Sequence, residues 1–74
     1  MPVFDAITYS THAERRMRKR GLSRQDVELV LRIGEGFHDD DGTWVYELGS
    51  IRVVIDDRDA TAHVVTVIRM RKHT

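Results

Sequence analysis

The sequence predicts an α+β fold in which a helical hairpin packs on a four-stranded antiparallel sheet. Two short segments with helix-capping residues and helical apolar spacing lie in the N-terminal half of the chain. Alternating apolar residues separated by tight-turn dipeptides fill the C-terminal half. With 74 residues and no cysteine, the chain is expected to form one domain, residues 1–74, without disulfide bonds.

A short strand and a first helix are predicted before the first glycine. Residues 6–9 favour an optional edge strand. Thr11 and Glu14 have the spacing of a capping box, which makes Thr11 the N-cap of the first helix. This helix is expected to end near Arg20, because Gly21 can adopt a positive φ without steric cost.

The second helix is predicted over residues 24–33. Ser23 and Asp26 form a second capping sequence, and Leu22 and Val27 have the spacing of a hydrophobic staple. The short Gly-Leu-Ser connection therefore predicts a hairpin of two helices.

Four strands are predicted after the helices, over residues 37–40, 43–48, 51–56 and 63–70. Asp41-Gly42 and Gly49-Ser50 are both predicted to be two-residue hairpin turns. The last strand is apolar on both sides and is therefore expected to be central. The predicted register gathers seven large apolar residues on the face that should receive the helices: Phe37, Trp44, Tyr46, Leu48, Ile51, Val53 and Ile55.

Charge is segregated along the chain, although the formal net charge is zero. Residues 1–24 contain six Lys and Arg against two Asp and Glu, residues 25–59 contain three against ten, and residues 60–74 contain three against none. If the first helix meets the last strand, they form a positive surface suited to phosphate. The alternative is that the basic residues only solvate a helix face.

Several classes of protein are not expected from the composition. No apolar run approaches the ~20 residues that a membrane span needs, so we expect a soluble, cytoplasmic protein with no membrane association. The four histidines are far apart and match no metal-ligand spacing. We therefore expect no metal and no cofactor.

His12 and Arg16 lie one turn apart on the predicted first helix. An imidazole beside a guanidinium suits phosphoryl chemistry, because one group moves a proton and the other stabilises negative charge. The alternative is a pair of exposed side chains with no role. Arg20 continues the same line, where it either binds a further phosphate or offsets the helix dipole.

Residues 10–23, STHAERRMRKRGLS, together with Val65-Thr66-Val67, resemble a small bacterial family named domain of unknown function 4258. That family is similar to RelE/ParE-like toxins and to barnase-like and EndoU-like ribonucleases. The resemblance implies a RelE-like fold and a metal-independent endoribonuclease that uses the RNA 2′-hydroxyl as nucleophile. It also implies a protein antitoxin as partner.

The resemblance assigns roles to particular residues. His12 is implied to transfer the proton, Arg16 to stabilise the phosphorane, and Thr66 to hold a phosphate oxygen. In a regular last strand Thr66 faces away from His63 and Arg69, so that a shared site requires a bulge or a bend. The residues expected to bind RNA are Arg15, Lys19, Arg20 and Arg69.

Two other functions stay open at this point. One is a non-catalytic module of the same fold that binds nucleic acid or an acidic protein. The other is a homodimer formed through an exposed sheet edge or through the second apolar side of the last strand.

Overall fold

The computed structural model describes residues 4–39, 42–58 and 60–70, in which two helices pack on one face of a five-stranded mixed sheet. The elements are β1 (Ala6–Tyr9), α1 (Thr11–Arg20), α2 (Arg24–Ile33), β2 (Glu35–His38), β3 (Trp44–Leu48), β4 (Ile51–Arg58) and β5 (Thr61–Arg69). The strand order is β1-β5-β4-β3-β2. The α+β class and the helical hairpin are confirmed. The sheet has a fifth strand because the optional β1 forms and pairs parallel to β5.

The N-cap of α1 is Ser10, so the predicted capping box of Thr11 and Glu14 is wrong. The Ser10 hydroxyl accepts a hydrogen bond from the Ala13 amide at 2.9 Å, and Thr11 is already helical. Ser10 stays extended because its amide donates to the carbonyl of Val64 in β5 at 3.0 Å. Pairing of the chain with β5 therefore decides where the helix begins.

α2 has the predicted bounds and the predicted capping box. The Ser23 hydroxyl accepts from the Asp26 amide at 3.2 Å, and the Asp26 carboxylate accepts from the Ser23 amide at 2.8 Å. The hydrogen bond from the Ser23 backbone is the main reason why the pKa of Asp26 lies below its ordinary value of 3.8. The inner side of α2 buries Val27, Val30 and Leu31.

The hairpin of β3 and β4 has the predicted register. The turn Gly49-Ser50 places Tyr46 opposite Val53, and both side chains are buried against the helices. β4 continues to Arg58 and is therefore two residues longer than predicted.

The predicted register between β2 and β3 is wrong by one residue. Phe37 pairs with Val45 instead of Tyr46, and His38 pairs with Trp44. A shift of one residue turns a side chain to the other side of a sheet. Phe37 consequently lies on the sheet face away from the helices, which we call the outer face, and is 46% exposed.

The cause of this shift is the loop between β2 and β3. The Asp39 amide donates to the Thr43 carbonyl at 2.8 Å, so Asp39 lies opposite Thr43 instead of opposite Trp44, as the two-residue turn required. Gly42 has a φ of 91°, a backbone conformation that favours glycine. Residues 40 and 41 of the predicted turn lie outside the described residues.

β5 lies between β1 and β4, which confirms that the last strand is central. It contains a bulge, because Val64 and Thr66 pair with consecutive residues of β4 and Val65 has no partner there. The bulge places Val64 and Val67 on the same face, where both are fully buried under the helices. The bulge that a shared site was said to require is therefore present, but it still leaves Thr66 and Arg69 on opposite faces of the sheet.

One cluster of buried side chains fills the space between the helices and the sheet. α1 contributes little to this core, and most of its circumference is exposed. No helix in the described part of the chain is long and apolar enough to cross a membrane. The cluster consists of Ala13, Met17, Leu22, Val27, Val30, Leu31, Tyr46, Val53, Ile55, Ala62, Val64 and Val67.

Candidate functional site

Four basic or titratable side chains of α1 surround one shallow surface depression of about 280 Å³. They are His12, Arg15, Arg16 and Lys19, and we call this set the basic face. Their spacing of three, four and seven residues places them on one side of a helix. The sequence predicted a line of His12, Arg16 and Arg20 and named Arg15 and Lys19 as RNA-binding residues; of these five, all but Arg20 line the depression.

The buried side of α1 determines where the basic face points. Ala13 is fully buried and Met17 is 5% exposed, so these two residues fix the rotation of the helix against β5. His12, Arg15 and Lys19 are exposed on the flank, and Arg16 is half-buried.

The charges of the basic face are not neutralised by carboxylates. Across residues 4–39, 42–58 and 60–70, the ion pairs are Arg52 with Glu47 at 2.6 Å and Arg58 with Asp56 at 2.9 Å. Both pairs lie on the outer face of the sheet, because their residues alternate with the buried positions of β3 and β4. The basic face therefore keeps its cations available for an external anion.

The basic face combines a proton-transfer group with fixed donors of positive charge. His12 lies in the first turn of α1, and Arg16 lies one turn later on the same side. An imidazole can accept or donate a proton, and a guanidinium can hold two phosphate oxygens. Among the described residues, only the four side chains of the basic face line the depression, which is open to solvent.

Thr66 does not lie beside the basic face. Its cross-strand partner is Val54, which in turn pairs with Val45, and these positions belong to the outer face of the sheet. α1 packs on the opposite face. The bulge does not bring Thr66 and Arg69 together, because the strand is regular after Thr66 and an offset of three residues puts the two side chains on opposite faces.

His63 is also on the outer face and cannot complete a pair of histidines with His12. It lies opposite Asp56 in β4, and its Nδ1 is 2.8 Å from Oγ1 of Thr8 in β1. This bond connects the two parallel strands. The sequence offered no signal for it, because Thr8 and His63 are 55 residues apart.

Arg69 and Arg20 meet at the C-terminal end of α1. A guanidinium nitrogen of Arg69 donates to the carbonyl oxygen of Arg20 at 3.0 Å. Arg69 therefore satisfies one of the carbonyl groups that a helix end leaves without an intrahelical partner. Arg20 is exposed but does not line the depression.

Tyr9 lies on the helix side of the sheet, where its side chain meets charged residues of α2. The sequence did not reveal this contact. The guanidinium carbon of Arg24 lies 5.2 Å from the centre of its ring, which is a cation–π distance. Burial raises the pKa of the Tyr9 hydroxyl, Glu28 raises it further, and Arg24 opposes both effects. This contact connects β1 to the first turn of α2.

Among the described residues, no three His, Cys, Asp or Glu side chains converge as metal ligands.

A family model described as "Domain of unknown function (DUF4258)" matches residues 9–69. The chain belongs to this family. The matched range includes the whole basic face and all of β5, so the predicted resemblance is confirmed for the part of the chain that carries the candidate site.

The DUF4258 chain shares its fold with a chain in "The crystal structure of the toxin-antitoxin complex RelBE2 from Mycobacterium tuberculosis". The TM-score is 0.67, and the match covers 97% of this chain and 98% of that chain at 20% sequence identity. The predicted RelE-like fold is therefore confirmed. No curated protein matches the chain.

Proposed function

We propose that this DUF4258 chain is the toxin of a toxin–antitoxin pair and that it cleaves RNA without a metal ion at the basic face of α1. The observation that carries the proposal is the depression lined by one histidine and three cations, none of which has a carboxylate partner among the described residues. The fold shared with a chain of a toxin–antitoxin complex supports the same biological role.

The proposed reaction uses the ribose 2′-hydroxyl as nucleophile. His12 removes its proton, the oxygen attacks the adjacent phosphorus, and the bond from phosphorus to the 5′-oxygen breaks. The released 5′-oxygen takes a proton from water. The products are a 2′,3′-cyclic phosphate and a 5′-hydroxyl. Arg16 stabilises the negative charge that builds up on the phosphorane. Because DNA lacks the 2′-hydroxyl, the activity is specific for RNA.

Arg15 and Lys19 bind the phosphates next to the cleaved one. They lie on the same side of α1 as the two reactive groups, and the row from His12 to Lys19 is about 10 Å long at 1.5 Å per helical residue. The proposed mechanism assigns Thr66 no part in the reaction, because it lies on the outer face, and assigns Arg69 a role at the end of the helix. The antitoxin, the homodimer and the cytoplasmic location stay predictions.

The decisive experiment compares two histidine variants on a labelled RNA in the presence of EDTA. His12→Ala should lower the cleavage rate on the order of a hundredfold, because a positioned general base contributes that much. His63→Ala, which removes a histidine from the outer face, should keep the wild-type rate. A DNA of the same sequence should stay intact. Equal cleavage by wild type and His12→Ala would contradict the proposed role of His12.

A second candidate function is binding of nucleic acid without cleavage. It is favoured by one observation: among the described residues, no second histidine and no hydroxyl from β5 lies beside His12. In that case wild type leaves RNA intact but binds it with an affinity that falls steeply as salt rises.

Two double variants separate specific binding from a general charge effect. Arg16→Ala plus Lys19→Ala should weaken RNA binding and reduce its salt dependence. Arg18→Ala plus Arg32→Ala removes the same charge from exposed positions outside the depression and should have a smaller effect. Equal loss in both double variants would contradict a specific role for the basic face.

A further inference from the structure

We propose that Ser10 is a positioning residue that holds His12 in place through the bulge of β5. The proposal rests on the proposed ribonuclease function, because it concerns the same basic face. It assigns a role to a residue that touches neither RNA nor the reacting atoms.

Ser10 makes hydrogen bonds to the sheet and to the helix at the same time. Its amide donates to the Val64 carbonyl at 3.0 Å, and its hydroxyl donates to the Val65 carbonyl at 2.8 Å. The same hydroxyl accepts from the Ala13 amide at 2.9 Å, and the Ser10 carbonyl accepts from the Glu14 amide at 3.0 Å. One hydroxyl therefore joins the first turn of α1 to β5.

The bulge creates the acceptor that Ser10 uses. β1 ends at Tyr9, which pairs with Val64, so the next residue of β5 has no partner in β1. Val65 has no partner in β4 either, because it is the extra residue of the bulge. Its carbonyl oxygen accepts the hydrogen bond from the Ser10 hydroxyl at this unpaired position.

The position of His12 depends on this contact more than that of Arg16. His12 follows Ser10 by two residues and lies in the first turn, which frays when its N-cap is removed. Arg16 lies in the next turn, beside the buried Met17. Loss of the Ser10 hydroxyl should therefore displace the base while the phosphate-binding cation stays in place.

α2 supplies a matched control. Ser23 is also an N-cap serine whose hydroxyl accepts from the helix, but its side-chain bonding is the capping box with Asp26 inside α2. Ser23→Ala therefore removes a cap of the same kind without releasing a helix from β5.

The test measures kcat and KM for RNA cleavage with Ser10→Ala, Ser10→Thr and Ser23→Ala. Ser10→Ala should lower kcat on the order of tenfold and leave KM within about twofold, because a misplaced reactive group slows chemistry more than binding. Ser10→Thr keeps a hydroxyl at this position and should restore most of kcat. Ser23→Ala should keep the wild-type kcat.

Three outcomes would overturn the proposal: an unchanged kcat in Ser10→Ala, an equal loss in Ser23→Ala, or no recovery in Ser10→Thr. A second readout separates this inference from the ribonuclease function. The ring signals of His12 in NMR spectra should move in Ser10→Ala and stay in Ser23→Ala, whether or not wild type cleaves RNA. Unchanged His12 signals in Ser10→Ala would reject the positioning role.

Discussion

α1 and α2 each have ten residues, but different forces hold them on the sheet. α2 buries three large aliphatic side chains, whereas the buried residues of α1 are one alanine and one methionine. α1 compensates with polar contacts at its two ends. Ser10 at the start of the helix bonds to Val65, and Arg20 at its end bonds to Arg69. Val65 and Arg69 both belong to β5.

The difference shows how a small domain can divide stability and function between two helices. Apolar burial fixes α2 along its length, so its position depends little on any single polar group. α1 buries less, and more of its surface is left for charged residues. The polar contacts at its ends then decide where those charges lie.

Removal of a buried side chain from α2 should have the largest effect on stability. Leu31 is 4% exposed, and Leu31→Ala should lower the free energy of unfolding by about 3 kcal/mol, through lost burial and a cavity. Leu29 is 46% exposed on the same helix, and Leu29→Ala should change the free energy of unfolding by less than about 0.5 kcal/mol. Urea denaturation measures both. Similar losses in the two variants would show that α2 is not held by burial.

Removal of the C-terminal contact of α1 should have an intermediate effect. Arg69→Ala should lower the free energy of unfolding by about 1 kcal/mol, the typical net contribution of one hydrogen bond. Because Arg69 is engaged with the helix end, the salt dependence of RNA binding should stay that of wild type. A shallower salt dependence would instead return Arg69 to the RNA-binding surface predicted from the sequence.

Thr66→Val should have the smallest effect. The side chain is half-buried on the outer face and contacts neither helix end, so stability should change by less than about 0.5 kcal/mol. RNA cleavage should keep its wild-type rate, measured in the same assay as for His12→Ala. A large loss of cleavage would show that the reaction takes place on the outer face.

Local sequence signals predicted most of the fold. The capping box at Ser23 gave the start of α2, and the turn at Gly49-Ser50 gave the register of β3 with β4. The register of the preceding hairpin, between β2 and β3, was misjudged because an Asp-Gly pair does not by itself fix the length of the connection. That one residue reversed the direction of Phe37.

Contacts between distant segments were the part that the sequence could not supply. The helical spacing of His12 and Arg16 follows from the sequence, and the structure confirms that they share one side of α1. The bulge at Val65 has no local signature, since β-branched residues surround it. Because the bulge determines the face on which Thr66 lies, local sequence signals could not predict whether Thr66 is near His12.

The dependence of α1 on β5 also has a consequence for the order of folding. The bonds from Ser10 to Val65 and from Arg69 to Arg20 join residues 55 and 49 positions apart. Contacts of such long sequence separation form late, because a large loop must close first. During synthesis the basic helix leaves the ribosome early, but it docks only after the last strand has followed. The nascent chain therefore acquires a correctly placed basic face only after β5 has been synthesised, and a chain truncated before β5 lacks one.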